Sequence, residues 1–248
     1  MGNNFYLNKS FTNIFEKPSK FSKISSQILY GEKFKIISRE KNYLKIKTSY
    51  DKYIGYIKKD KFPKNFVPNY KVKVLKASIY KKPENSKKTK EFLSFSSEIS
   101  VSDSRSKFFK FGKDKWIKKS EVIKINLKIY NYLKIFNLFK NCKYSWGGKT
   151  FKGIDCSALI QLYFKFNNKF YPRDTIDQIK FKKGKMTDSK FKTGDLIYWK
   201  GHVAVCINNK YLIHAYGPAK KVTVMPIFKT IKIIKETANL KIEKVFSI

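Results

Sequence analysis

Asp155-Cys-Ser-Ala-Leu-Ile-Gln-Leu-Tyr-Phe164 is the stretch on which the fold turns. A short polar residue, Asp155 or Ser157, opens an apolar run, and such a side chain starts a helix by accepting an N–H that the first turn leaves without a partner. Cys156 therefore falls at a helix N-terminus, where the partial positive charge of the backbone favours a thiolate. Upstream, Lys143 to Gly153 reads as a glycine-bearing loop. Before it, Ile129, Leu133, Phe136 and Lys140 share one helical line with Tyr132, Ile135 and Phe139 beside it. Downstream the period changes to that of strands: Asp195-Leu-Ile-Tyr-Trp199, His202-Val-Ala-Val-Cys-Ile207, Tyr211-Leu-Ile-His-Ala-Tyr216 and Val222-Thr-Val-Met225, with Asn208-Asn-Lys210 as a hairpin turn. Helices first and antiparallel strands afterwards predict an α+β domain.

A thiolate needs a base, and the chain holds only two histidines, His202 and His214. If Ile207 pairs with Tyr211 across the turn, Ala204 faces His214, and His202 becomes a diagonal neighbour of His214 roughly 7–8 Å away on the same face. That is near enough for a base and an orienting partner. A slip of one residue would put the two rings on opposite faces. A cysteine taken alone is most simply a small buried apolar residue, and a lone histidine a core or surface residue. It is the combination that points to nucleophilic chemistry. One cysteine and two histidines also make three zinc ligands, but no short ligand pair accompanies them, so neither a metal nor a cofactor is expected.

The N-terminal half carries a weak internal repeat. Laying Glu32-Lys-Phe-Lys-Ile36 over Glu98-Ile-Ser-Val101 brings Tyr43-Leu-Lys-Ile46 onto Phe108-Phe-Lys-Phe111 and Tyr56-Ile-Lys-Lys59 onto Trp116-Ile-Lys-Lys119. Short alternating segments between turn residues predict two small β-barrels in tandem, joined at Phe62-Pro-Lys-Asn-Phe-Val-Pro68. The expected organisation is an N-terminal extension at 1–13, a β module at 14–65, a second at 66–125 and the α+β domain at 126–248.

The chain is 248 residues long and 42% hydrophobic, enough for two or three compact units and too apolar for disorder. Its 55 Lys and Arg against 18 Asp and Glu give a formal charge of +37. Such a field attracts nucleic acid or acidic polymers. Only three of those cations are arginines, however, the residue that a specific phosphate or base reader would favour, so no specific nucleic acid is expected. MGNNFYLNKSF lacks the apolar run of a secretory signal, and no later stretch approaches the roughly 20 apolar residues of a membrane span. Three irregularly spaced cysteines suggest no disulfide framework. A soluble cytoplasmic protein is expected. Cys206 is read as core, and Met186 with its neighbouring lysines as a solvated loop.

Several motifs in order give the third unit, over roughly 130–230, a resemblance to the NlpC family of papain-like cysteine peptidases. They are Tyr144-Ser-Trp-Gly-Gly148, Gly153-Ile-Asp-Cys-Ser157, Pro172-Arg-Asp-Thr175 with Gln178, Thr193-Gly-Asp-Leu-Ile-Tyr-Trp199, His202-Val-Ala-Val205 and Ile213-His-Ala215. Ala158 stands where that pattern usually has Gly. Ser26-Gln-Ile-Leu-Tyr-Gly-Glu32 and Asp51-Lys-Tyr-Ile-Gly-Tyr56 likewise resemble bacterial SH3-like domains. The resemblance implies a triad of Cys156, His202 and His214, with Tyr144 helping to hold the oxyanion. It places Trp146, Asp155, Ser157, Asp174 and Thr175 about the substrate, Asp155 mainly as loop former and helix cap. Tyr53 and Glu32 of the first SH3-like module are implied as further amine-binding groups. Two SH3-like modules before such a domain resemble the subgroup that cleaves murein peptides between γ-D-glutamate and a diamino acid and requires a free N-terminal L-Ala, acting in recycling. A general cell-wall hydrolase or acyltransferase of the same Cys–His chemistry, and a non-catalytic basic binding module, are the alternatives.

Overall fold

The computed structural model describes residues 4–181 and 190–248; Met186 lies outside them. Two compact units emerge, Met1–Lys128 with Lys149–Phe151, and Ile129–Gly148 with Lys152–Ile248.

The first unit is built of strands. Its first sheet contains β1 (Asn4–Tyr6), β2 (Phe11–Phe15), β3 (Ile24–Leu29), β4 (Lys33–Arg39), β5 (Tyr43–Thr48) and β6 (Ile54–Lys58), in the order β1-β4-β5-β6-β2-β3. Alternation places Phe34, Leu44, Ile46 and Ile57 on one face, and these fully buried side chains close a core with Leu7, Ile14 and Ile28. Each such burial stabilises by about 1.5–3 kcal/mol. The opening residues are part of this barrel, not an extension from it. β1 pairs antiparallel with β4, Phe5 stacks on Phe34 at 6.0 Å, and Leu7 is 1% exposed. Phe5 and Leu7 sit inside an otherwise polar-looking segment, and their burial outweighs its loop-like composition.

The second module comprises β7 (Tyr70–Val72), β8 (Lys76–Tyr80), β9 (Lys88–Ser94), β10 (Glu98–Ile99), β11 (Asp103–Arg105), β12 (Phe108–Gly112), β13 (Lys115–Lys118) and β14 (Val122–Lys124). They form the sheets β10-β7-β14 and β11-β12-β13-β8-β9. The internal repeat is visible here: β5 with β6 and β12 with β13 are equivalent antiparallel hairpins. Tyr30, from the first module, is packed in the second module's core, with its ring edge-on to Phe111 at 5.8 Å. The next residue, Gly31, has φ +81°, and a Cβ there would lie 2.1 Å from the Glu98 carbonyl oxygen. β15 (Lys149–Thr150) joins this unit, with the Lys149 N–H donating to Gln27 Oε1 at 2.7 Å.

The second unit sets helices against an antiparallel sheet. It contains α1 (Tyr132–Leu138), β16 (Gly153–Ile154), α2 (Cys156–Phe166), α3 (Thr175–Phe181), β17 (Asp195–Trp199), β18 (His202–Cys206), β19 (Tyr211–Tyr216), β20 (Lys221–Pro226), α4 (Ile227–Ala238) and β21 (Lys244–Ser247). The sheet order is β20-β19-β18-β17-β21. α1 is shorter than its apolar line predicts. Asn131 caps it by accepting from the Lys134 N–H, while the side-chain amide of Asn167 takes both backbone groups of Ile129 and holds that residue out of the helix. β18 and β19 pair in the register Val205 to Ile213, and Ile207 N–H donates to the Tyr211 carbonyl, so the histidines fall on one face as the sequence predicts. α2 is buried along its whole length, which is why its sequence is apolar on every side. Among the described residues no helix is long and apolar enough to cross a membrane.

Gly31→Ala would combine a left-handed backbone with a collision against a carbonyl oxygen. We expect it to destabilise the first unit by about 2–4 kcal/mol, seen as an earlier transition in urea by Trp116 fluorescence.

Candidate active site

Asp155 begins the site. Its extended backbone precedes α2, and its Oδ1 accepts from the Ala158 N–H at 2.8 Å, the bond that starts the helix. The same carboxylate accepts from the Gly147 N–H through Oδ2 at 2.9 Å, fixing the glycine loop. Arg173 closes the arrangement with two parallel contacts, Nη2 to Oδ2 at 2.6 Å and Nη1 to Oδ1 at 3.0 Å, and Nη1 also donates to Ser157 Oγ at 2.9 Å. Ser157 in turn donates to Asp155 Oδ1 at 3.1 Å. Both charges are almost wholly buried, so their pairing offsets a desolvation cost that neither would survive alone. Asp155 and Ser157, expected near substrate, are thus engaged in holding the helix start.

Cys156 is the first residue of α2 and is 5% exposed. Burial pushes its thiol up to about 12, and the Asp155 charge adds to this. Hydrogen bonding from the Val203 and Ser157 N–H groups and the charge of Arg173 act the other way. Desolvation of Cys156 thus opposes the thiolate that its place at a helix N-terminus favours.

β18 and β19 bring the histidines together: His202 Nε2 lies 2.9 Å from His214 Nδ1. The two-residue turn before His202 uses Gly201 at φ +76°, a conformation that strains any side chain, and Trp199 pairs with His202 across it. His214 is fully buried and stacks on Tyr216, with centroids 4.6 Å apart and planes 10° apart, and its other ring nitrogen lies 3.3 Å from Met225 Sδ. Burial lowers His202 to about 4. It lowers His214 to about 3, with the charge of His202 as a second cause. Both rings are therefore neutral near pH 7.

Tyr144 lies close enough to Cys156 and Asp155 for their charges to raise its hydroxyl, after burial as the main cause, to about 12. It remains a protonated donor throughout the neutral range. Trp146 is 65% exposed in the same loop. Asp174 is half-buried, and its carbonyl accepts from Asp177 and Gln178 at the start of α3, where Thr175 is the first helical residue. Gln178, fully buried, donates to the Ser157 and Pro172 carbonyls and accepts from Tyr198 Oη, tying α3 to α2. Tyr53 and Glu32 belong to the first unit. Tyr53 donates to the Ser25 carbonyl at 3.4 Å, and buried Glu32 accepts from the Leu29 N–H with Lys149 Nζ 3.7 Å from its other oxygen. Among the described residues no three His, Cys, Asp or Glu gather as metal ligands, and Cys142 and Cys206 are buried free thiols, Cys206 in the core under the sheet. The roles of Arg173 and Met225 were not legible in sequence. Arg173 fell within the Pro172-Arg-Asp-Thr175 motif, but nothing there pointed to Asp155 as its partner, and nothing in the local pattern marked Met225.

Residues 141–237 match the NlpC/P60 family, and residues 10–61 match the bacterial SH3 domain. The second unit is an NlpC/P60 domain. A gamma-D-glutamyl-L-lysine dipeptidyl-peptidase of Bacillus subtilis (strain 168) is 25% identical to the chain over 232 residues, 84% of this chain and 77% of that protein. The Murein DD-endopeptidase MepS/Murein LD-carboxypeptidase of Escherichia coli (strain K12) is 36% identical over 84 residues, which are 31% of this chain and 44% of that protein. The crystal structure of an NlpC/P60 family protein from Bacillus cereus ATCC 10987 superposes with a TM-score of 0.77, covering 90% of this chain and 94% of that one at 17% identity, a likeness of fold. The NlpC/P60 domain here follows strand-rich SH3-like structure in one α+β chain.

Arg173→Met would leave the Asp155 carboxylate buried without its cation and should cost about 3–5 kcal/mol in chemical denaturation. Arg173→Lys, unable to make the paired contacts, should recover less than half of that. The histidines add a pH dependence. Their native values lie below the unfolded value of about 6.5, so the unfolded chain binds more protons as pH falls from about 6.5 through 4 to 3. Stability contributed by the neutral rings is full above pH 6.5 and is lost on acidification, and the melting temperature of His214→Gln should fall less steeply over that window.

Proposed function

We propose that the chain is a cysteine peptidase in which Cys156 is the nucleophile, His202 its base, and His214 the residue that orients His202. The observation that supports this reading is the hydrogen bond between His202 and His214, with His202 on the strand, β18, whose Val203 N–H reaches the Cys156 thiol at the start of α2. Burial disfavours each charge singly, so the resting pair is thiol and imidazole. On attack the thiol proton passes to His202, and Sγ bonds to the scissile carbonyl carbon. Each new charge then has the other beside it. Tyr144 Oη and the Cys156 N–H hold the oxyanion, a contribution of roughly 3–4 kcal/mol per donor in comparable sites. Collapse expels the amine, which takes its proton from His202, and water then hydrolyses the thioester by the reverse proton path.

For substrate we infer the γ-D-glutamyl–diamino acid bond of short murein peptides with a free N-terminal L-Ala. Support comes from the Bacillus subtilis relative, whose similarity runs through 84% of this chain rather than the NlpC/P60 domain alone. Asp174, half-buried beside the helix start, is the carboxylate we assign to a substrate ammonium, with Trp146 and Thr175 flanking the peptide. We place the activity in peptide recycling in the cytoplasm, a setting that suits three free cysteines. Hydrolysis of intact wall is the second reading, favoured by the +37 charge, which would hold the protein on anionic wall polymers.

L-Ala-γ-D-Glu-diaminopimelate, free and N-acetylated, incubated with wild type and Cys156→Ser and followed by mass spectrometry, separates these readings. Release of L-Ala-γ-D-Glu from the free peptide by wild type alone is expected. Cleavage of both peptides would turn the assignment to wall hydrolysis, and cleavage of neither would refute the substrate. Recovery of the protein outside the cytoplasm on fractionation would count against recycling.

A further inference from the structure

The environment of His214 determines which of its nitrogens carries the proton, and through it which nitrogen of His202 is bare. Nε2 of His214 lies 3.3 Å from Met225 Sδ, and Nδ1 lies 2.9 Å from His202 Nε2. A thioether has lone pairs and no hydrogen to donate, so a nitrogen this near is attracted only if it carries the proton. A neutral imidazole has a single N–H. With that proton on Nε2, Nδ1 of His214 is an acceptor, and the 2.9 Å contact requires His202 Nε2 to be the donor. His202 Nδ1 is then left with its lone pair, the state a base must have before it takes a thiol proton. In the opposite arrangement a bare Nε2 would face the sulfur lone pairs at 3.3 Å, and His202 would enter the reaction protonated on Nδ1.

We propose that Met225 is a positioning residue that sets the tautomers of the His214–His202 pair and so leaves His202 Nδ1 free to act as base. The sheet builds this contact. Met225 lies opposite Leu212 in the β19–β20 ladder, and Thr223 opposite His214, so Met225 is the diagonal neighbour of His214 on the same face. Tyr216 stacks on the His214 ring and fixes its plane, so the direction of the Nε2 bond is set as well as its partner. The choice of sulfur has a chemical consequence. A carboxylate in this place would also accept the proton, but its charge would favour an imidazolium at His214, which cannot accept from His202. A thioether selects the tautomer and leaves the ring neutral.

This inference rests on the reading of His202 as base, and the experiment is chosen so that each can fail separately. With only two histidines in the chain, a long-range ¹H–¹⁵N correlation spectrum of the uniformly labelled full-length protein at pH 7 shows four ring nitrogens, assigned with His214→Gln. Protonation on Nε2 of both rings is expected in wild type, and a proton on Nδ1 of His214 overturns the proposal without reference to any substrate. Met225→Leu keeps the bulk and removes the acceptor. It should mix the His214 tautomers and lower kcat on the murein tripeptide by about 10- to 100-fold with KM within about twofold, the scale seen when the outer partner of a functional histidine is lost. Met225→Gln, whose side-chain oxygen accepts a hydrogen bond from Nε2–H, should restore the wild-type tautomer and most of kcat. Unchanged tautomers in Met225→Leu would refute the role. If the tripeptide is not cleaved at all, the substrate assignment fails alone, and the rate of Cys156 alkylation by iodoacetamide replaces kcat: a loss in Met225→Leu reversed in Met225→Gln supports the proposal, and equal rates in all three sink it.

Discussion

One buried carboxylate organises the catalytic half of the chain. Asp155 accepts from the helix it starts, from the glycine loop before it and from the guanidinium of Arg173. Three neighbouring segments, within 18 residues of Asp155, are thereby fixed about one point, with Cys156 as the next residue. The pairing also sets the electrostatics of the thiol. The Asp155 charge opposes a thiolate, while the Arg173 charge and the Val203 and Ser157 N–H groups favour one.

The remaining chemistry follows from exclusion of water. Burial displaces Cys156, Tyr144, His202 and His214 in the directions that keep each uncharged. Such burial disfavours a separated thiolate and imidazolium. The site holds a low-polarity space in which a developing pair of charges is stabilised by short distance and fixed dipoles rather than by solvent. The hydrogen-bonded row from His202 through His214 to Met225 serves this state because none of its members brings in a net charge.

Much of this was legible in sequence, and the reason is local periodicity. The apolar run after Asp155 announced α2 and its cap, and Asn208-Asn-Lys210 fixed the register that sets His202 and His214 on one face. The repeat in the first unit was readable because alternation survives where identity does not. What failed to show were features made by side chains meeting across long separations. Asn167 withdraws Ile129 from α1, Leu7 and Phe5 draw the opening residues into a barrel, and Arg173 pairs with Asp155 eighteen residues away. The C-terminal strand pairing with β17 likewise depends on the finished sheet rather than on its own weak pattern.

Tyr30 gives the first unit a property that its tandem appearance conceals. By chain order it lies between β3 and β4 in the middle of the first β module, yet its ring completes the core of the second, and Gly31 lets the Tyr30 carbonyl receive the Glu98 N–H at 2.9 Å. A cut at the Pro63–Pro68 connection would open both halves: one fragment would display an aromatic ring made for an interior, and the other would carry the vacancy. The tandem modules are thus indivisible. Recombination can pass the pair between proteins as a whole, and an expression boundary or a chimera has to respect the same seam.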